Sequence, residues 1–213
     1  MLDHDVYEVI SKEQYKQLHK AGALRAIPKM CCITVKKDSE MNPHRAKSRI
    51  IVLGNHEERW FSKSDHYAPV LASDSLCLLT SRVIEKRRIL KQGDCKNSFW
   101  NATLPYDEVN IVHPRQGDPD SKPDDYWLLK KNLYGPRHIP HHWYMTITGI
   151  LYNMGLLEIR HDPCLFTGTP NDESTPSTRK SIYVGLYVDD LCSSPNQPRK
   201  RIFSNASFPI KSK

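Results

Sequence analysis

The stretch that decides the fold covers residues 182–190, Ile-Tyr-Val-Gly-Leu-Tyr-Val-Asp-Asp. Residues 182–188 are mainly β-branched, aromatic or aliphatic, so they form the most strand-like run in the chain. The run ends abruptly at two carboxylates, Asp189 and Asp190. Aspartate pairs are common in turns because their side chains bond nearby backbone amides. Taken alone, the pair therefore fits either an ordinary turn or a functional site.

A second strand, predicted to be buried, covers residues 89–94 and also ends at a carboxylate, Asp94. Its structural alternative is a helix N-cap, since a short helical segment is predicted from residue 96. Carboxylates at the ends of neighbouring strands repel each other, and a divalent cation can hold them ionised. Mg²⁺ prefers one or two carboxylates together with substrate phosphates and water. Two such ions can activate a hydroxyl and stabilise a leaving pyrophosphate, which is the chemistry of nucleotidyl transfer.

The remaining patterns predict a mixed α+β fold, in which helices cover one face of an antiparallel sheet. Strands at 31–37 and 47–53 flank a turn at 38–43 and indicate a hairpin. Further strands are predicted at 109–112, 126–129 and 164–166, and a helical pattern lies within 7–24. A helix capped by Ser73 or Ser75 extends to about residue 88. Its apolar face comprises Leu76, Leu79, Val83 and Ile84.

Another helix begins near Pro140 and ends at Gly155. Its apolar face comprises Trp143, Ile147, Ile150, Leu151 and Met154.

Charge is unevenly distributed along the 213 residues, whose formal net charge is +7. Basic side chains predominate in residues 25–63, 82–96 and 196–213, whereas residues 107–125 are acidic. A basic surface of this kind suits a polyanionic ligand, and a solvated surface without a ligand is the alternative. No apolar run approaches the roughly 20 residues that a membrane helix needs.

The six cysteines contain no CxxC pair and have no histidines near them at zinc-ligand spacing, so a structural zinc site is not expected. Residues 1–10 are mixed and charged, unlike a secretory signal. Reduced thiols in an intracellular protein are the expectation.

Five motifs in register make the chain similar to the reverse transcriptase of copia-type long-terminal-repeat retrotransposons. Residues 47–54 (KSRIIVLG) resemble the family's KARLVARG strand, and residues 67–70 (YAPV) match its YAPV element. Residues 92–99 (QGDCKNSF) are similar to QMDVKTAF, and residues 133–140 (LYGPRHIP) to LYGLKQAP. Residues 187–190 correspond to the YVDD box.

The resemblance implies roles for individual residues. Asp94, Asp189 and Asp190 would be catalytic and would bind two Mg²⁺ ions, with Mn²⁺ as a substitute; the Cys95 carbonyl would add a backbone oxygen. Phe99 would stack under the deoxyribose, or else be a core aromatic. Lys47 and Arg49, alternate residues on one strand face, would reach the triphosphate, or else be solvated. Tyr134 and Gly135 would lie near the templating base pair.

The resemblance also implies an organisation and partners. Fingers would span 27–85 and a palm 86–195, with a polar insert at 168–180, after an N-terminal extension at 1–26 and before a basic, truncated tail at 196–213. Thumb and RNase H would be absent. RNA template, DNA primer and dNTPs would be the partners, with no membrane. The location would be intracellular, in a cytoplasmic particle or the nucleus.

Several residues depart from the family's motifs: Gly93 replaces Met, Ala102 replaces Gly, Pro136 replaces Leu, and His138-Ile139 replace Gln-Ala. These departures favour an alternative, in which the chain is a catalytically decayed remnant that binds nucleic acid without sequence preference. A metal-dependent nuclease could also use clustered aspartates, but no further acidic motif supplies a base for a hydrolytic water.

Overall fold

The computed structural model describes residues 5–60, 62–102, 104–105, 108–113, 122, 124–169, 181–194 and 210–212. The described strands are β1 (Tyr7–Ile10), β2 (Lys29–Lys37), β3 (Pro43–Val52), β4 (Lys91–Cys95), β5 (Ile111–Val112), β6 (Tyr126–Leu129), β7 (Leu156–Ile159), β8 (Asp162–Gly168), β9 (Ile182–Tyr187), β10 (Asp190–Ser194) and β11 (Ile210–Ser212). The helices are α1 (Lys12–Lys20), α2 (Lys63–His66), α3 (Ser73–Glu85), α4 (Ser98–Asn101) and α5 (Ile139–Asn153). A short 3₁₀ turn spans Gly54–His56.

The chain divides into two compact units. The first comprises Met1–His66 and Ala102–His142, and the second comprises Tyr67–Asn101 and Trp143–Lys213. All the strand pairs within the sheets are antiparallel, as predicted, so the mixed α+β class with antiparallel sheets is confirmed. Most of the predicted insert, residues 170–180, and most of the tail lie outside the described residues.

The first unit contains a sheet of order β1-β6-β5 and the separate hairpin β2-β3. Its core includes Ile10, Ala26 and Ile111, against which Tyr15 and Tyr126 pack. The predicted hairpin is present. Its turn is held by the Asp38 carboxylate, which accepts hydrogen bonds from the backbone amides of Glu40 and Asn42, 2.9 Å each.

The helical pattern predicted within residues 7–24 is present as α1, and a strand that the sequence did not indicate precedes it. Tyr7–Ile10 form a strand because they pair with β6, and the Tyr7 ring stacks on Trp127 with centroids 3.9 Å apart. The helix begins only after Ser11, whose side chain forms a reciprocal capping box with Gln14.

The second unit is a six-stranded sheet of order β11-β4-β10-β9-β8-β7. Helix α3 lies against β9 and buries Leu79 and Val83, but Leu76 and Ile84 are exposed, so half of its predicted apolar face is wrong. The predicted serine cap is also wrong. Ala72 precedes the helix without a side-chain cap, and its N–H is bound by the buried carboxylate of Asp162 at 3.0 Å. A tertiary contact therefore fixes this helix start.

Helix α5 agrees with its predicted apolar face, since Trp143, Ile147 and Leu151 are almost completely buried. Gly155 follows the helix with φ of +81°, the left-handed conformation that glycine adopts readily after a helix. Among the described residues, none of the helices is both long enough and apolar enough to span a membrane.

Candidate functional site

Strands β4 and β10 bring two of the predicted carboxylates together. Asp94 and Asp190 are direct partners in the antiparallel register of these strands. Residues directly opposite each other have their Cα atoms about 4.5–5.5 Å apart and their side chains on the same face of the sheet. Both are partly exposed. Two acidic side chains therefore occupy one spot on the sheet surface, where a cation could neutralise them.

The turn between β9 and β10 holds the third carboxylate, Asp189. Tyr187 pairs with Asp190, so Val188 and Asp189 alone form the loop. Val188 has φ of +54°. A positive φ at the first loop residue matches a type II′ turn, in which glycine is usual. A β-branched residue in this conformation is strained, and such strain persists only where the surroundings impose it.

Two hydrogen bonds impose this turn geometry. The indole Nε1 of Trp143 donates to the Val188 carbonyl at 2.7 Å. The backbone N–H of Cys95 donates to the Asp189 carbonyl at 2.8 Å. Trp143 is in α5 and Cys95 is in β4, so the turn is attached to a helix on one side and to the Asp94 strand on the other. Through the second bond, the backbone of Asp189 is fixed one residue from Asp94.

The buried Cys95 thiol is affected by the negative charge of these carboxylates. Burial raises the pKa of this thiol to about 12, and the charges of Asp189, Asp94 and Asp190 contribute further. The negative charge of the three carboxylates therefore disfavours ionisation of this thiol at the end of β4. Carboxylate and backbone carbonyl oxygens are hard ligands of the kind that Mg²⁺ accepts. The donor set thus fits a hard divalent cation.

Phe99 lies in α4, directly after β4, and is partly buried. The chain turns between these elements at Asn97, whose φ of +53° is one that asparagine tolerates. The backbone amides of Trp100 and Asn101 bind the Asn97 carbonyl at 2.9 and 3.3 Å. Phe99 therefore lies in the short helix that follows the Asp94 strand, in the same unit as the three carboxylates.

The other predicted residues belong to the first unit. Strand β3 carries Lys47, which is half-buried, and Arg49, which is exposed. The Arg49 guanidinium lies 5.9 Å from the centre of the Tyr134 ring. The Val52 N–H donates to the Tyr134 carbonyl at 2.7 Å. The structure therefore brings Arg49 and Tyr134 together at the base of the hairpin, with Lys47 farther along the same strand.

Gly135 is required by this arrangement. Its φ is +122°, and a Cβ atom built there would lie 1.7 Å from the Val52 carbonyl oxygen. Only glycine permits the two backbone segments to approach so closely. The glycine of the predicted nucleotide-binding motif thus has a clear packing reason in the first unit.

The sequence reasoning missed a buried polar cluster in the first unit. The His138 Nε2 atom lies 3.1 Å from Glu108 Oε2, and the His142 Nε2 atom lies 3.9 Å from Glu108 Oε1. The Arg59 guanidinium contacts Glu108 Oε1 at 2.8 Å, and His138 Nδ1 lies 3.6 Å from Glu57 Oε1. The four-residue spacing of His138 and His142 was a readable signal, but nothing in the sequence connects Glu57 or Glu108 with them.

The two carboxylates of this cluster have opposite pKa shifts. Burial raises the pKa of Glu57, an effect that the nearby His138 and Arg59 only partly offset. Burial would also raise the pKa of Glu108, but its hydrogen bond and charge interaction with His138, together with Arg59, hold that pKa at about 2. Burial lowers the pKa of His142. Glu108 is therefore the firmly ionised carboxylate of the cluster.

Comparison with known proteins identifies the class. A family model described as "Reverse transcriptase (RNA-dependent DNA polymerase)" matches residues 12–200, and the chain belongs to this family. It is similar to the Retrovirus-related Pol polyproteins from transposons RE2 and RE1 of Arabidopsis thaliana. The identities are 27% over 74% of the chain and 25% over 78%.

The Retrovirus-related Pol polyprotein from transposon TNT 1-94 of Nicotiana tabacum is 24% identical over 84% of the chain. These relatives confirm the resemblance to copia-type retrotransposons. The matches cover only 10%, 11% and 14% of the three polyproteins.

Proposed function

We propose that the chain is the RNA-directed DNA polymerase core of a retrotransposon, with Asp94, Asp189 and Asp190 as its metal-binding carboxylates. The observation that carries the proposal is the register of β4 and β10, which sets Asp94 directly opposite Asp190. The hydrogen bond from Cys95 N–H to the Asp189 carbonyl adds the third acid to the same strand end. Family membership supports the reaction class.

Two Mg²⁺ ions, or Mn²⁺ in their place, would activate the primer 3′-hydroxyl and stabilise the departing pyrophosphate. Asp94 and Asp189 would be the principal ligands of these ions, with Asp190 supplying the third carboxylate and Cys95 a carbonyl oxygen. The short hairpin turn keeps these ligands in place before substrate binds, which lowers the cost of ordering them. Catalysis would then rest on positioning and charge stabilisation, with no covalent intermediate on the protein.

The other predicted residues are proposed to bind the nucleotide and template. Lys47 and Arg49 would contact the triphosphate, because Lys offers a point charge and Arg a forked donor set. Phe99 would support the deoxyribose ring, and Tyr134 and Gly135 would lie near the templating pair. In this proposal residues 27–85 form the fingers and residues 86–195 the palm, acting on an RNA template and a DNA primer inside the cell.

The experiment is primer extension on an RNA template with dNTPs and Mg²⁺. Asp189→Asn should abolish extension by the wild-type chain, because the amide carries no charge for the cations. Asp74→Asn is the matched control, since Asp74 is an exposed aspartate in the first turn of α3. Equal extension by wild type and Asp189→Asn would overturn the site.

Template binding, measured in parallel, separates the alternatives. Salt-sensitive binding without extension by the wild type would favour a decayed, non-catalytic nucleic-acid-binding protein. Substitutions relative to the family's motifs could explain such a loss of activity. For example, Gly93 replaces a methionine in the strand of Asp94, and glycine provides less packing and more flexibility.

A further inference from the structure

We propose that Glu108, His138 and His142 form a zinc site in the first unit, with Glu57 orienting the His138 ring. One ligand atom from each of the three residues lies within 4.8 Å of the others. Tetrahedral zinc with bonds of about 2.0–2.2 Å needs ligand atoms about 3.4 Å apart. The His138 Nε2 atom lies 3.1 Å from Glu108 Oε2, close to this separation. The His142 Nε2 atom lies 3.9 Å from the other oxygen, Oε1, so its ring would have to move toward Oε2 to bind the same ion.

The two imidazoles present the same atom to the carboxylate. Each has its Nε2 toward Glu108. They are four residues apart at the start of α5, where the His142 N–H donates to the His138 carbonyl at 3.1 Å. Residues four apart lie on one face of a helix, which is how paired histidines bind one metal ion. The geometry therefore brings two ring nitrogens and one carboxylate oxygen within 4.8 Å of one another.

Glu57 provides an independent observation. Its side chain is only 2% exposed, and among the described residues no side chain donates a hydrogen bond to either carboxylate oxygen. The backbone N–H of Arg137 lies near enough to favour its ionised form. Its Oε1 lies 3.6 Å from His138 Nδ1, the ring atom opposite the one that faces Glu108. Metal-bound histidines usually donate their second ring N–H to a carboxylate, which fixes the tautomer and orientation. Glu57 occupies the position of that carboxylate.

The contact with Arg59 leaves one oxygen of Glu108 for binding the metal ion. The Arg59 guanidinium contacts Oε1 at 2.8 Å, and Oε2 remains directed at His138. Glu108 would therefore bind the metal through one oxygen. In the part of the chain that the structure describes, the carboxylates of Glu57 and Glu108 share the positive charge of Arg59, so a divalent cation would also offset their negative charge.

Zinc is the favoured ion because two imidazoles and one carboxylate suit it, whereas Mg²⁺ prefers oxygen ligands throughout. The absence of cysteine-based zinc motifs does not bear on this set, since it contains no cysteine. The ligands are largely buried, with side-chain exposures of 1% for His138, 11% for Glu108 and 17% for His142. A bound ion would link the segments of Glu57, Glu108 and α5, and the three protein ligands would leave its fourth tetrahedral position to water.

The test is zinc titration of the chelator-treated, reduced chain by calorimetry, with excess Mg²⁺ present to fill the carboxylate site of the proposed polymerase. The wild type should bind one equivalent and melt at a higher temperature. His142→Ala should weaken binding by more than about 100-fold, and Glu57→Gln by about 10–100-fold. His141→Ala, a neighbouring histidine of the same helix that is outside the cluster, should bind as the wild type does.

Cobalt offers a second readout that does not depend on a variant folding. Co²⁺ bound to the wild type should give the visible absorption of a four- or five-coordinate nitrogen and oxygen site, and zinc should displace it. Failure of the wild type to bind zinc, or equal binding by the wild type and His142→Ala, would show that the cluster is only a buried ion-pair network. Equal binding by the wild type and Glu57→Gln would overturn the orienting role of Glu57. None of these results depends on polymerase activity, so this proposal can fail independently of the proposed function.

Discussion

At the scale of single residues, alanine substitutions of Gly135 and Gly149 are predicted to have opposite effects on stability. Gly135→Ala should destabilise the chain by about 3–5 kcal/mol, because its Cβ would meet the Val52 backbone and its φ is positive. Gly149→Ala should stabilise it by about 0.5–1 kcal/mol, since Gly149 is inside α5 with open space around it. Urea unfolding of both variants measures these changes in the free energy of unfolding.

Equal effects of the two glycine substitutions would contradict the close approach of Gly135 and β3. Nucleotide binding adds a second check on Gly135→Ala. If Tyr134 and Gly135 contact the substrate region, residual folded protein should show a raised KM for dNTP, whereas Gly149→Ala should leave KM unchanged.

Single residues also show which parts of the candidate sites can be predicted from the sequence. Asp94 and Asp189 were predicted from the sequence because each ends a predicted strand and belongs to a recognisable motif. The expected burial of the first strand is wrong at its start, since Ile89 and Leu90 are exposed. Glu108 was not readable, because it joins His138 only through tertiary packing across a 30-residue separation. A sequence motif consists of residues that are close in the chain. A buried cluster formed by distant segments has no such motif and cannot be found from the sequence in this way.

At the scale of elements, sequence patterns found the strands with strong intrinsic preference and missed those set by pairing. β9 was predicted because four of its six residues are β-branched or aromatic. β10, with sequence Asp-Leu-Cys-Ser-Ser, has weak β-propensity and is a strand because it lies between β9 and β4. The missed element is the one that carries Asp190, so the site could be proposed from sequence while the register that supports it could not.

The attachment of α5 to the β9–β10 turn gives an element-scale prediction. Trp143→Phe keeps the apolar ring but removes the Nε1–H that donates to the Val188 carbonyl. The strained turn loses one of its two supports, and the chain should be destabilised by about 1–3 kcal/mol. Single-turnover primer extension should fall by about 10- to 100-fold, because small displacements of positioned groups slow catalysis strongly.

Trp60→Phe is the control for this substitution, since the Trp60 side chain is 85% exposed. It should change stability by less than about 0.5 kcal/mol and leave extension unchanged. A normal extension rate in a folded Trp143→Phe variant would show that the turn does not depend on α5 for its catalytic geometry.

At the scale of the whole molecule, the net charge of +7 predicts binding of nucleic acid that weakens steeply with salt. The β2-β3 hairpin is a strong candidate for phosphate contact, because Lys36 and Lys37 are exposed near its turn. Replacing both by alanine should lower the magnitude of the slope of log binding constant against log salt concentration by about 1.8 for duplex primer–template, or about 0.9 for each lost contact. Fluorescence anisotropy over a KCl series measures this slope.

Lys12→Ala combined with Lys20→Ala is the matched control, since it removes the same net charge from α1, where Lys12 already pairs with Asp124 at 2.9 Å. This control should lower affinity slightly through the general field while leaving the slope nearly unchanged. Equal slope changes in both double variants would mean that total charge, and not the hairpin, determines binding. An unchanged slope in the Lys36/Lys37 variant would remove the hairpin from the nucleic-acid interface and direct the search to the basic residues between 82 and 96.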